Sequence, residues 1–235
     1  MIPSAPKLVL LPGLDGTGDL FNEFIAALPS GFQAITVRYP TTVSLSYAQL
    51  APRVRDTAPT SDPFALVAES FSTPLAIQIA AEDLPNMKAL VLCAGFATSP
   101  VRGWRRFLAS ALAPILFRLP LPDFLAERTL VGSDAPIELV RAVRTAVSSV
   151  PATVLTDRLR NILTCDVRTA LSKVRIPILY LQARQDQLVD AASLEEIRRI
   201  QPTITVADID GPHLLLQRRP MEAFNLIEKF LHHLK

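Results

Sequence analysis

The chain has 235 residues and a mass of 25.7 kDa, room for one α/β domain carrying an insertion. Hydrophobic residues make up 49% and charged ones 20%, which excludes a disordered chain, and a mean hydropathy of +0.30 leaves apolar surface for a pocket. The net charge of +2 offers no global field for nucleic acid, although ten arginines outnumber six acids between Pro100 and Arg168.

That surplus of four positive charges marks a basic insertion on a nearly neutral body. Cys93 and Cys165 are far apart and lack metal-ligand spacing, so they read as buried small hydrophobes, with one disulfide left open. The apolar run Leu8–Leu11 is too short for a secretory signal, and no run reaches the 18 or so residues that span a membrane. The expectation is a soluble, cytoplasmic enzyme without a transmembrane segment.

In chain order, short apolar runs predict strands at Lys7–Leu11, Gln33–Arg38, Phe64–Ala68, Lys88–Cys93, Ile176–Gln182 and Thr203–Ile209. All are mostly apolar on both faces, as expected for strands covered by helices on each side. Helical patterns alternate with them at Leu20–Leu28, Leu45–Thr57, Pro74–Glu82, Leu194–Ile200 and Met221–Leu234. This alternation predicts a doubly wound, mainly parallel six-stranded sheet with right-handed crossovers. The rhythm breaks between Ser99 and Thr169, where amphipathic stretches are punctuated by Pro114, Pro120, Pro122, Pro136 and Pro151. So long a segment is not a structureless loop. It reads as a helical cap (residues 99–169) over a core built from residues 1–98 and 170–235.

Chemistry-bearing residues cluster at strand ends. Ala68-Glu69-Ser70-Phe71-Ser72 lies between a strand and a helix, the setting of a nucleophile elbow, with two small residues where G-x-S-x-G has glycines. The alternative for Ser70 is a helix N-cap. Leu11-Pro12-Gly13-Leu14-Asp15-Gly16-Thr17-Gly18 ends the first strand, where backbone N–H groups can face a developing oxyanion. It lacks the lysine of a P-loop, since Asp19 follows, and its glycine order is wrong for a dinucleotide fingerprint. A plain flexible turn is the remaining alternative.

Of three histidines, His232 and His233 fall at a C-terminal helix end, leaving His213 of Asp210-Gly211-Pro212-His213 as the only base a serine triad could use. Asp186, in the loop after the fifth strand, is placed to hold that imidazole. Asp190 is the runner-up and reads better as a helix cap whose first turn carries Glu195 and Glu196, while Asp208 and Asp210 lie too near His213 in the chain.

With PGLDG, AESFS, ARQDQLV and GPH in that order, nearly the whole chain resembles the α/β-hydrolase superfamily. It departs from the common pattern at Pro12, at both elbow glycines, and in lacking two initial antiparallel strands before Lys7. The resemblance implies acyl transfer to water by Ser70, His213 and Asp186, with the N–H groups of Leu14 and Phe71 as oxyanion donors and with no metal or cofactor. It points to small carboxylesterases, among them a group that cleaves a methyl ester from an acyl chain on acyl carrier protein. The basic cap suits such an acidic carrier, and LPGLDGTG also resembles loops of lipid acyltransferases and lysophospholipases. The expected function is hydrolysis of carboxyl esters of a hydrophobic acyl group. Thioesterase, acyltransferase, C–C hydrolase and non-catalytic binding are the alternatives; Ser70 in place of aspartate disfavours dehalogenation. The apolar segment Val101–Phe117 with its basic start could roof an acyl pocket, dip into a membrane interface or pack as an ordinary cap helix.

Overall fold

The computed structural model describes residues 6–119 and 122–234, so Pro120, one of the expected breaks, lies outside the described residues. β1 (Lys7–Leu11) runs through a 3-10 turn (Asp19–Phe21) to α1 (Asn22–Ala26), β2 (Ala34–Thr36) and α2 (Tyr47–Thr57). β3 (Phe64–Glu69), a 3-10 turn (Ser70–Ser72), α3 (Thr73–Ala80) and β4 (Met87–Cys93) follow. Next come α4 (Arg105–Leu116), α5 (Asp123–Ala126), a π-helical turn (Glu127–Val131), α6 (Ile137–Ser148), α7 (Ala152–Thr164) and α8 (Arg168–Leu171). The chain closes with β5 (Ile178–Ala183), α9 (Ala191–Ile200), β6 (Thr205–Ile209), α10 (Leu215–Arg218) and α11 (Pro220–His232).

The six strands form one sheet in the order β2-β1-β3-β4-β5-β6, and every pairing is parallel. This is the doubly wound sheet the strand–helix alternation predicts. Parallel neighbours need long crossovers, and the helices that supply them cover both faces. Alternation along each strand splits the core accordingly. Leu66 and Ala68 of β3 join one cluster with Val9, Leu90 and Tyr180; Ala65 and Val67 join the other with Leu8, Leu10, Val91 and Leu179. β3, at the centre, is buried along its whole length and carries the elbow at its carboxyl end.

Two expectations need correction. The edge strands are not covered on both faces: β2 is only half-buried, and β6 is exposed at Thr205 and Asp208, because a strand at the rim has a neighbour on one side only. α9 begins at Ala191 rather than Leu194, so Glu195 and Glu196 fall beyond its first turn. Asp190 does cap it, accepting from the Ala192 N–H at 2.9 Å.

Between β4 and β5 the described residues form helices joined by turns and loops, and their one bridge is isolated, Thr98 with Asp166. α7 packs against α4, and Val150, Val154 and Leu155 bury Leu14 and Phe117, so this insertion touches the loop after β1. Both cysteines are free; Cys93 is buried in the sheet core, and burial pushes the Cys165 thiol up to about 12. Among the described residues no helix is long and apolar enough to cross a membrane.

Candidate active site

β3 ends in a reversal that strains its first turn residue. Ser70 has φ of 47°, left-handed backbone that a side chain rarely adopts. The turn lifts its hydroxyl out of the sheet and into reach of the loop after β6. His213 Nε2 lies 2.8 Å from Ser70 Oγ, and His213 Nδ1 lies 2.8 Å from Asp186 Oδ2. A carboxylate can only accept, so Nδ1 carries the ring proton and donates to Asp186. Nε2 is then left to accept from the Ser70 hydroxyl. Asp186 is itself fixed, because its Oδ1 accepts from the N–H groups of Leu188 (2.8 Å) and Val189 (3.0 Å). The His213 and Asp186 side chains are 3% and 4% exposed, so little water competes for their hydrogen bond.

The alternatives weighed from the sequence have other partners. Asp208 pairs with Arg184 at 3.4 Å, and Asp210 accepts from Gln185 Nε2 at 2.9 Å. His233 Nδ1 faces the Lys229 carbonyl on α11, and His232 is 3.8 Å from Glu228. Ser70 caps nothing through its side chain; it opens the 3-10 turn that leads into α3. Among the described residues no cluster of three histidines, cysteines or acids is placed to hold a metal ion.

The residues in place of the elbow glycines are both fully buried, and Ser72 has work of its own. Its hydroxyl donates to the Pro12 carbonyl, so the Tyr39 hydroxyl, 2.6 Å away, must donate to Ser72 Oγ. Tyr47 donates to the Phe71 carbonyl at 2.9 Å. The elbow is thereby tied to the loop after β1, which holds the second expected oxyanion donor. Thr73 Oγ1 donates to the Ser70 carbonyl at 2.8 Å and accepts from the Phe96 N–H at 3.2 Å. A Cβ on neighbouring Gly95 would come within 2.8 Å of the Thr73 side chain, so the loop after β4 can approach the elbow only as glycine.

Arg158 of α7 went unsuspected in the sequence. It is 2% exposed and donates to three backbone carbonyls, those of Leu14 (2.9 Å), Asp15 and Pro40 (2.9 Å). Gly16, at φ 68°, lets it in; a Cβ there would meet its Nη1 at 2.5 Å. Desolvation lowers the Arg158 pKa below its ordinary value, and nearby Asp15 works the other way. A cation of α7 thus grips the loop bearing Leu14. Its contacts span more than 110 residues of sequence, so no local pattern could announce it.

Glu69 is the other residue the sequence left without a role. It points inward beside the elbow, 2% exposed, and accepts from Gln217 Nε2 at 2.9 Å. Burial pushes its carboxyl up to about 7, against opposing contributions from Gln217 and His213. Gln217 Oε1 is buried and has no partner among the described residues.

The chain matches the sequence profile of the Alpha/beta hydrolase family over residues 8–225. It is 28% identical to a pimeloyl-[acyl-carrier protein] methyl ester esterase of Xanthomonas campestris pv. campestris, covering 90% of this chain and 88% of that one. Among solved structures, the hydrolase olei00960 from Oleispira antarctica superposes with a TM-score of 0.83 at 14% identity, covering 97% of this chain and 91% of that one. The esterase EaEST from Exiguobacterium antarcticum gives 0.81 at 13% identity, covering 98% and 93%. At such identities the structures speak for the fold alone, and the profile match decides the membership: the chain belongs to the alpha/beta hydrolase family.

Proposed function

We propose that this protein is a serine esterase that cleaves carboxyl esters of a hydrophobic acyl group through an acyl-enzyme on Ser70. The observation that carries the reading is the continuous hydrogen-bonded chain from Ser70 through His213 to Asp186 at the carboxyl ends of β3, β5 and β6. His213 Nε2 takes the Ser70 proton as Oγ bonds to the ester carbonyl carbon, and the carbonyl oxygen becomes an oxyanion. The N–H groups of Leu14 and Phe71 receive it. His213 then gives its proton to the leaving alkoxide, and the alcohol departs. Water attacks the acyl-enzyme, again losing a proton to Nε2, which returns it to Ser70 as the acid leaves. Asp186 holds the ring in the Nδ1–H tautomer and stabilises the imidazolium of both steps. Residues 99–169 form the cap, with Arg158 and Phe117 contributing to the wall beside Leu14.

An acyl chain delivered on acyl carrier protein is the second reading. It is supported by the 28%-identical relative named for that substrate and by the surplus of arginine between Pro100 and Arg168. Hydrolysis of p-nitrophenyl esters of graded acyl length tests the first reading, with Ser70→Ala as the control. We expect turnover by the wild type that rises with chain length before falling, and none above background in the variant. Equal turnover by both would refute a serine mechanism; turnover of carrier-bound ester alone would establish the second reading.

A further inference from the structure

Helices on a globular surface normally turn their apolar stripe inward. α4 does the reverse. Trp104, just before it, and Leu108, Leu112 and Ile115 along it recur at spacings of four, four and three, so they share one face. That face is in solvent: Trp104 is 70% exposed and Ile115 59%, while Phe107, Leu116 and Leu119 are exposed as well. The inner side is made of small residues, with Ala113 the only one fully buried and Ala109 and Ser110 half-buried, where α4 packs on α7.

The charges that this stretch of chain itself carries have one sign. No acid occurs between Asp83 and Asp123, and Arg102, Arg105, Arg106 and Arg118 flank the stripe at both ends. All four are exposed, and the Arg106 guanidinium lies 4.9 Å over the Phe107 ring. Two clefts open beside residues 100–106, one lined by Arg102 and Arg106 with Asp166 and Glu196, the other by Arg102 and Arg105 with Asp186 and Asp190. None of the apolar residues of the stripe lines either cleft, so they do not wall those grooves.

We propose that α4 and its flanking arginines dock the protein on an anionic lipid surface, in the plane of the interface. An interfacial helix needs an apolar face with large side chains, a tryptophan at headgroup depth, and arginines whose stems reach past the acyl boundary to the headgroup phosphates. All of these are present in the stretch from Arg102 to Leu119, which itself carries no acid to repel an anionic leaflet. An acidic protein would be drawn by the arginines alone and would leave the apolar stripe in water. The bilayer accounts for both features. Docking there would bring the cap, and with it the proposed site, to lipid-borne acyl groups.

Co-sedimentation with vesicles tests this, using phosphatidylcholine alone and phosphatidylcholine mixed with phosphatidylglycerol. Wild type should bind the anionic vesicles, and more weakly as salt rises. Arg102→Gln/Arg105→Gln/Arg106→Gln should bind about a hundredfold more weakly, at roughly a fivefold loss per surface arginine. Trp104→Ser/Leu112→Ser/Ile115→Ser should lose vesicle binding altogether. Because these side chains are in solvent, both variants should keep wild-type turnover of a soluble short-chain p-nitrophenyl ester. That readout separates this proposal from the esterase reading, which could fail while vesicle binding stands. Failure of the wild type to bind anionic vesicles at low salt would overturn the proposal. So would a stripe variant that abolishes self-association or capture of an acidic carrier protein while vesicle binding is unchanged.

Discussion

Asp186→Asn is expected to lower kcat by about 10⁴-fold while leaving the fold intact, the loss seen when a serine-protease triad aspartate is so replaced. The reason lies in which atom donates. Asparagine keeps an Oδ1 that can accept from Leu188 and Val189, so the loop after β5 stays anchored. The other oxygen becomes an NH₂ group facing His213 Nδ1. Two donors cannot share that 2.8 Å contact, so the imidazole must carry its proton on Nε2 instead. There it points at Ser70 Oγ and can no longer accept from it. Turnover of p-nitrophenyl acetate by the two proteins, with circular dichroism to verify folding, checks the effect. Activity within a few-fold of wild type would show that another group orients the base.

Glu69→Gln should stabilise the protein at alkaline pH and leave it nearly unchanged in acid. The Glu69 carboxyl titrates at about 7 in the folded chain against a reference of 4.5. Between these values the unfolded chain has lost the proton that the folded chain keeps, so stability falls as pH rises, and the full loss is reached above about 7. At 1.36 kcal/mol per pH unit, the charged carboxylate costs the fold about 3 kcal/mol. Glutamine has the same shape and no charge, and one of its amide groups can meet the Gln217 side chain, whose Oε1 now lacks a partner. Urea midpoints at pH 4 and pH 8.5 measure the difference. An equal change at both values would mean that the charge on Glu69 is not what destabilises the fold.

The parallel sheet was legible because its signals are local. Strands such as Lys7–Leu11 are short apolar runs bounded by glycine or proline, and the strand–turn–helix setting of Ser70 lies within about twenty residues. The order of Ser70, Asp186 and His213 narrowed the base and the acid because only one histidine follows a strand. What stayed hidden depends on distance in sequence. Ser72 looked like a mere small residue, yet its hydroxyl joins Tyr39 to Pro12 across 60 residues. Arg158 drew no notice in the sequence, since its carbonyl partners lie in loops at the other end of the chain. Periodicity showed that α4 has an apolar face but not which way that face looks, since orientation is decided by α7 and not by α4 itself. β6 reads as a buried strand because its alternation is blurred, and only its place at the rim explains Thr205 and Asp208 in solvent.

The Arg158 grip on the loop after β1 and the Ser72 link from the elbow have a common consequence. Together they tie Leu14 and Phe71, the two proposed oxyanion donors, to one hydrogen-bonded frame. Such preorganisation is where acyl-transfer enzymes find much of their rate.

Whether Ser70 is a nucleophile is the central claim, and covalent trapping addresses it most directly. The protein would be treated with a fluorophosphonate, its intact mass recorded, and the modified peptide sequenced. The account predicts one adduct per chain, on Ser70, absent from Ser70→Ala and slowed severely in His213→Ala. An adduct on another residue, or an unmodified Ser70 in a protein that still hydrolyses esters, would contradict it.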